Sequence, residues 1–202
     1  TYERHVNWMQ AWLDKVALRN ITLVCQDWGG LIGLRLLANA PDQFSSAVVA
    51  NTGLPTGDYT ISEAFLNWRK LSLEVPDFDP GKFVAMGSTK AVADSAIAAY
   101  NAPFPDDTYK EGARIFPSLV PISPDDPSAP ANRRAWEVLS TFNKPFLTSF
   151  SDGDPITGGG ERIFQRLVPG TSGQAHTTIE GGGHFLQEDC GEDFAQVIVN
   201  FM

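Results

Sequence analysis

The 202-residue sequence predicts an α/β protein with a mostly parallel β-sheet and a helical insertion in the middle of the chain. Three observations support this prediction. Short apolar strands alternate with helical patterns at both ends of the chain, as in βαβ units. Residues 52–140 hold most of the prolines and no convincing strand. Reactive side chains directly follow the strands, which is where parallel sheets bind ligands.

Composition restricts the possible partners. The net charge of −9 argues against binding to nucleic acid or to an anionic membrane surface. No apolar run approaches the ~20 residues of a membrane-spanning helix. The two cysteines, Cys25 and Cys190, are too few for a disulfide framework, so we expect two free thiols. Free thiols favour a reducing compartment, and we expect the protein in the cytoplasm.

The first part of the chain has a β–α–β pattern preceded by a helix. Apolar residues recur at helical spacing over residues 2–17, namely at Val6, Met9, Trp12, Leu13 and Val16. A strand is predicted at 21–26, followed by a helix over 30–39 that ends before Pro41. A second buried strand is predicted at 47–50. The short helical connection between the strands predicts that they are parallel.

The middle of the chain is expected to form a helical cap. Helices are predicted at 61–73, 90–99, 107–114 and 130–140. The insertion also contains many aromatic residues, which are Phe65, Trp68, Phe78, Phe83, Phe104, Phe116 and Trp136. This aromatic content argues against a flexible linker.

The sheet resumes after the insertion. Strands are predicted at 145–150 and about 175–180, with helices at 159–167 and about 188–201. We therefore divide the chain into a core of residues 1–51 and 141–202 and a cap of residues 52–140.

The turn after the first strand has the pattern of a nucleophile elbow, Gln26-Asp27-Trp28-Gly29-Gly30. Such a turn holds a nucleophilic side chain between a strand and a helix, and small residues are expected two positions before and after it. Cys25 and Gly29 occupy those positions. A carboxylate nucleophile such as Asp27 attacks carbon and forms an ester that water can open. Taken alone, Asp27 could also be a surface residue that caps the helix.

Two further side chains make the catalytic interpretation stronger. Asp154, or its neighbour Asp152, follows the strand at 145–150, and His184 follows the strand at 175–180. The order of nucleophile, acid and histidine is that of the α/β-hydrolases. His5 and His176 have no comparable context.

The sequence resembles the haloalkane dehalogenases over essentially the whole chain. The elbow resembles theirs, and Gly183-His184-Phe185-Leu186-Gln187-Glu188 is similar to their histidine turn. Phe65-Leu66-Asn67-Trp68 resembles the cap helix that carries the second halide ligand in one subfamily. The resemblance implies the α/β-hydrolase fold with an inserted helical cap. It also implies hydrolysis of a haloalkane to an alcohol and a halide through a covalent alkyl-aspartate ester.

The resemblance implies a role for each site residue. Asp27 is the expected nucleophile, His184 activates water, and Asp154 orients His184. The indole N–H groups of Trp28 and Trp68 are expected to bind the halide. The expected partners are a small haloalkane, the halide and water, with no cofactor or metal, and we expect a monomer.

The acid is expected after the later of two strands. Asn51 follows the strand at 47–50, so no carboxylate is available there. Asp154 is preferred to Asp152 because the family places the acid before a short apolar pair, here Pro155-Ile156.

The chain departs from the family at its N-terminus. The first strands and a loop with the second backbone donor for the ester oxyanion are missing, so we expect an N-terminally truncated member. The backbone N–H of Trp28 is the oxyanion donor that remains.

Two alternatives stay open. An epoxide hydrolase shares the aspartate nucleophile and needs two cap tyrosines, for which Tyr59, Tyr100 and Tyr109 are available. An inactive or binding fragment would follow from the missing part of the sheet.

Overall fold

The computed structural model describes all 202 residues, and its centre is a four-stranded parallel sheet. The strands lie side by side in chain order: β1 (Ile21–Gln26), β2 (Phe44–Ala50), β3 (Phe146–Ser151) and β4 (Thr177–Ile179). All four carboxyl ends therefore meet at one edge of the sheet, as the sequence predicts.

Ten α-helices surround this sheet. They are α1 (Tyr2–Val16), α2 (Trp28–Asn39), α3 (Glu63–Glu74), α4 (Pro80–Gly87), α5 (Asp94–Asn101), α6 (Glu111–Ile115), α7 (Ala129–Leu139), α8 (Glu161–Leu167), α9 (Leu186–Asp189) and α10 (Gly191–Phe201). None of them has the length and apolar character that crossing a membrane requires.

One predicted link is in fact helical. Helix α4 begins at Pro80, a residue that we expected to lie in a connection between helices. Proline is well suited to the first turn of a helix, where its missing N–H would have no partner within the helix. The Asp79 side chain caps this turn by accepting the backbone N–H of Lys82.

The last predicted helix is two helices. Residues 188–201 were expected to form one helix, but α9 ends before Cys190 and α10 begins after it. Cys190 has an extended φ of −139°, which interrupts the helical backbone. The apolar face predicted for this segment is nevertheless present, since Cys190 and Phe194 are buried against the sheet.

The two central strands, β2 and β3, are buried on both faces over most of their length, as expected of parallel strands. On one face Val49 and Phe146 pack in the larger core cluster with residues of α1 and α2. On the other face Val48 and Leu147 pack with Phe194 of α10.

Strand β1 is less completely covered. It pairs with β2 alone, and the Val24 side chain is exposed. The apolar stripe predicted on α1 is also only partly buried, and three of its members, Met9, Trp12 and Val16, are exposed. The helix packs mainly on α2, and only one side of it is covered.

The last helix of the predicted cap packs on the core. Asn132 of α7 accepts a hydrogen bond from Arg35 of α2, at 3.2 Å, and Leu139 lies in the larger core cluster. The division into a core of residues 1–51 and 141–202 and a cap of residues 52–140 stays a prediction. Because of this packing, we propose that the cap ends before Ala129.

Candidate active site

The predicted triad residues lie on turns at the carboxyl edge of the sheet. Asp27 follows β1, Asp154 follows β3 and His184 follows β4. Neighbouring parallel strands deliver these turns to one place although the residues are far apart in sequence.

Asp27 sits on a strained turn between β1 and α2. Its φ of 47° and ψ of −125° fall outside the conformations that a non-glycine residue ordinarily adopts. Two hydrogen bonds to the residues after β2 fix this turn. The Asp27 N–H donates to Asn51 O at 3.0 Å, and the Thr52 hydroxyl donates to Asp27 O at 2.7 Å. Strain of this kind persists where the surroundings fix it, often at functional sites.

The glycine that this turn requires is Gly30. A β-carbon on Gly29 would lie 3.8 Å from that of Cys25, which is an ordinary contact. A β-carbon on Gly30 would collide with the Thr52 side chain. The expected approach of Cys25 and Gly29 is present, and a closer approach lies one position later, between Gly30 and the loop after β2.

The three triad side chains are within reach of one another. His184 Nδ1 lies 2.9 Å from Asp154 Oδ2, and His184 Nε2 lies 3.5 Å from Asp27 Oδ1. Asp154 also accepts hydrogen bonds from the Ile156 N–H, at 2.8 Å, and from the Thr157 hydroxyl. The side chain of Asp27 is 41% exposed, whereas His184 and Asp154 are buried. The nucleophile is thus accessible and the residues behind it are fixed.

Nearby charges and hydrogen bonds determine the protonation states of His184 and Asp154. Burial by itself lowers the pKa of His184, but the hydrogen bonds and charges of Asp154 and Asp27 outweigh it and raise the pKa to about 9. Burial by itself raises the pKa of Asp154, but hydrogen bonds, the largest from His184, bring the pKa below its usual value. At neutral pH His184 is therefore protonated between two carboxylates.

A cavity of about 250 Å³ opens above Asp27 between the core and the cap. Seven of the ten residues that line it are hydrophobic, and they include Trp28, Trp68, Phe65 and Phe116. The Phe116 ring packs edge-on against Trp28, with 4.8 Å between ring centroids. The pocket suits a small apolar molecule, with Asp27 and His184 as its charged groups.

Both predicted halide-binding tryptophans line this pocket. The indole N–H of Trp136 donates to Leu54 O at 2.8 Å, but those of Trp28 and Trp68 make no hydrogen bond within the protein. An indole nitrogen is a donor only, so these two N–H groups are available to an acceptor in the pocket.

Other candidates from the sequence lie elsewhere. Asp152 is exposed and accepts the N–H of Gly181, whereas Asp154 faces His184. The cap tyrosines Tyr59 and Tyr109 are exposed, and Tyr100 donates to Glu188; none of the three lines the pocket. The arrangement needed to open an epoxide is therefore absent.

Asn51 links all the turns that carry the triad, which sequence reasoning did not anticipate. Its amide donates to Ser151 Oγ, to Gly183 O and to His184 O at 2.8–3.0 Å, and it accepts the Ser151 N–H. Its own carbonyl holds the Asp27 N–H. The one sequence signal was the absence of a carboxylate at this strand end.

Comparisons with known proteins agree with this geometry. A family profile described as alpha/beta hydrolase fold matches residues 1–189. A haloalkane dehalogenase of Psychrobacter cryohalolentis is 57% identical over 202 residues, which are the whole of this chain and 67% of that protein. A haloalkane dehalogenase of Mycolicibacterium paratuberculosis is 44% identical over the whole chain and 66% of its own length. The chain thus spans about two thirds of the length of these relatives.

Solved structures give the same result. The haloalkane dehalogenase DpaA of Paraglaciecola agarilytica, described as tetrameric, superposes with a TM-score of 0.88 at 29% identity, covering 99% of this chain and 65% of that one. The DatA haloalkane dehalogenase of Agrobacterium tumefaciens, as its Y109W mutant, has a TM-score of 0.82 at 21% identity, covering 100% and 73%. With 57% identity along its whole length to a member, the chain belongs to the haloalkane dehalogenase family, within the α/β-hydrolase fold.

Proposed function

We propose that this protein hydrolyses haloalkanes to an alcohol and a halide through an ester on Asp27. One observation carries the proposal: the pocket above Asp27 is apolar and contains two indole N–H groups, of Trp28 and Trp68, that have no acceptor in the protein. A halide leaving a carbon atom needs such donors, because its charge develops where water is excluded.

In the first step the Asp27 carboxylate attacks the carbon that bears the halogen. A carbon–oxygen bond forms, the carbon–halogen bond breaks, and the halide leaves with the bonding pair toward Trp28 and Trp68. No proton moves, so His184 is not needed for this step.

In the second step water opens the ester. His184 Nε2 takes a proton from water while the oxygen adds to the Asp27 carboxyl carbon, and the resulting oxyanion faces the N–H of Trp28 at the start of α2. Collapse releases the alcohol, which receives the proton from His184, and leaves Asp27 as a carboxylic acid. Loss of the second water proton to solvent restores the Asp27 carboxylate. Asp154 holds the ring and stabilises its charged form.

The electrostatics of the site order the two steps. The Asp27 carboxylate helps to raise the pKa of His184 to about 9. When Asp27 becomes a neutral ester, that contribution disappears and the pKa of His184 falls. A larger fraction of the imidazole is then neutral and able to act as a base when the ester needs to be opened.

Isotope labelling tests the covalent route. In water labelled with oxygen-18 and under single turnover, the label should enter the Asp27 carboxylate, and Asp27→Ala should release no halide. Label that appears only in the alcohol during the first turnover would refute the ester on Asp27.

Replacing the base tests the second step. His184→Gln should still release one equivalent of halide and should then accumulate the alkyl ester, visible as added mass on the intact protein. A variant that shows neither a halide burst nor a mass increase would refute this assignment of roles.

The oligomeric state and the location are also proposals. Both cysteines are free and buried, which supports a reducing compartment such as the cytoplasm. We expect a monomer, although DpaA is described as tetrameric. Sedimentation of the purified chain over a concentration series distinguishes the two states.

A further inference from the structure

The cap is joined to the catalytic histidine through the backbone. We call residues 87–90 the strap and residues 181–185 the histidine turn. The Gly87 carbonyl accepts the N–H of His184 at 2.8 Å and that of Phe185 at 3.4 Å. A side chain on Gly87 would collide with the Phe185 ring. The strap and the histidine turn are therefore packed against each other without intervening side chains.

A buried carboxylate closes this junction. Asp189 Oδ2 accepts the N–H of Thr89 at 2.9 Å and that of Gly183 at 2.8 Å, and Oδ1 accepts the N–H of Lys90 at 2.9 Å. The Lys90 ammonium group donates to the Asp189 carbonyl. Burial by itself raises the pKa of Asp189, but the three N–H donors bring the pKa below its usual value. The side chain thus binds the strap and the histidine turn as an anion.

The strap also leads to the halide side of the pocket. It continues from α4, and Phe83 of α4 packs edge-on against Trp68 with 4.7 Å between ring centroids. Trp68 is thereby connected through α4 to the strap and the histidine turn.

We propose that Asp189 is a positioning residue that fastens the cap to the histidine turn and so holds His184 at the correct distance from the ester on Asp27. The inference rests on the proposed function, in which His184 acts only in ester hydrolysis. Asp189 does not line the pocket, and it acts through the Gly183 N–H and the strap. Misplacing a catalytic group by about 1 Å can cost ~100-fold in rate.

The test separates the two chemical steps. Asp189→Asn keeps one oxygen acceptor but removes the charge and presents an amide to N–H donors. Mixed rapidly with 1-bromobutane, the variant should release its first equivalent of bromide within about twofold of the unmodified rate. Ester hydrolysis should be roughly tenfold slower, so that the alkyl-protein accumulates in the intact mass spectrum. Asp193→Asn, which removes an exposed acid on α10, should change neither step.

A second variant approaches the junction from the cap. Gly87→Ala leaves Asp189 unchanged but pushes the strap away from Phe185. This variant should also slow ester hydrolysis without slowing the release of bromide. It therefore tests the proposal independently if Asp189→Asn does not fold.

Three outcomes separate the two proposals. Provided that the unmodified chain hydrolyses 1-bromobutane, either of two results would overturn the positioning role of Asp189. One is equal slowing of both steps, and the other is unchanged ester hydrolysis in both variants. Failure of the unmodified chain to release bromide would overturn the proposed function itself.

Discussion

At the scale of the residue, the two unpaired indoles give the most direct prediction. Trp68→Phe keeps most of the ring volume and removes the N–H donor, so bromide should bind more weakly and the displacement step should slow. A charge-assisted hydrogen bond of this kind is worth about 1.5–3 kcal/mol. Saturable quenching of tryptophan fluorescence by bromide measures the affinity.

The matched control for this prediction is Trp136→Phe. The Trp136 N–H is already bonded to Leu54 O, so this variant removes an indole without changing the donors in the pocket. Bromide affinity should stay the same. If Trp68→Phe binds bromide as tightly as the control, then Trp68 is a packing residue of the cap.

The ionisation of His184 gives a second residue-scale prediction. Its pKa of about 9 lies above the ordinary value of 6.5, so its charged form stabilises the fold. That stabilisation is fully present below pH 6.5 and is lost as pH rises to about 9. Asp27→Asn removes one of the two carboxylates that raise this pKa, so the loss should be complete at a lower pH.

Proton NMR of the histidine rings and melting temperatures at pH 6, 7.5 and 9 measure both effects. Asp152→Asn is the control, since Asp152 does not contact the ring. A His184 titration that Asp27→Asn leaves at the unmodified pH would contradict the electrostatic ordering of the two steps.

Some site residues were predictable because a strand and a turn mark them in sequence. Asp27, Asp154 and His184 each directly follow a strand and are brought together. The roles of Asn51 and Asp189 were not predictable, because most of their partners are backbone groups of loops about 100 residues away or more. Backbone donors and acceptors leave no signature in a sequence, so only the packed fold shows these contacts.

At the scale of the element, the strand–turn–helix around Asp27 leaves different amounts of space for a side chain at its two neighbouring glycines, Gly29 and Gly30. Gly30→Ala forces the Thr52 side chain away, and the Thr52 hydroxyl then loses its bond to the Asp27 carbonyl. We expect a lower melting temperature and a large loss of halide release. Gly29→Ala meets only an ordinary contact and should fold normally. Thermal melts and bromide release of the two variants decide the comparison, and equal losses would contradict it.

Elements were more predictable than their ends. The strands and most helices follow from apolar periodicity and from the prolines between them. Helix α4 was missed because Pro80 was treated as a helix breaker, although its place after Asp79 suits a helix start. The stripe on α1 was predicted correctly as helical but not as exposed, because periodicity shows which residues are apolar and not which surface covers them.

At the scale of the whole molecule, the edge of the sheet is the weak point of residues 1–202. Strand β1 has free hydrogen-bonding groups on its outer side, and the Val24 side chain adds exposed apolar surface. Such an edge templates aggregation. We expect residues 1–202 to be poorly soluble.

Charge on the edge should relieve this defect. Val24→Lys places a cation on the exposed face of β1 and should raise the soluble fraction of residues 1–202, as measured by light scattering. Val199→Lys, which adds the same single positive charge in place of an exposed valine on α10, is the control for net charge. Monodisperse unmodified chain at high concentration would contradict the prediction.

The insertion that contains the cap leaves the sheet after β2 and returns at β3, and these two strands are hydrogen-bonded neighbours. We expect that a cap inserted between two neighbouring strands can be exchanged between relatives, because the two ends of the insertion lie close together. The three catalytic turns would stay where they are. The hydrogen bonds of Asp189 restrict this exchange, because a grafted cap needs a segment equivalent to the strap that contacts the histidine turn. A chimera without one should alkylate itself and then stall.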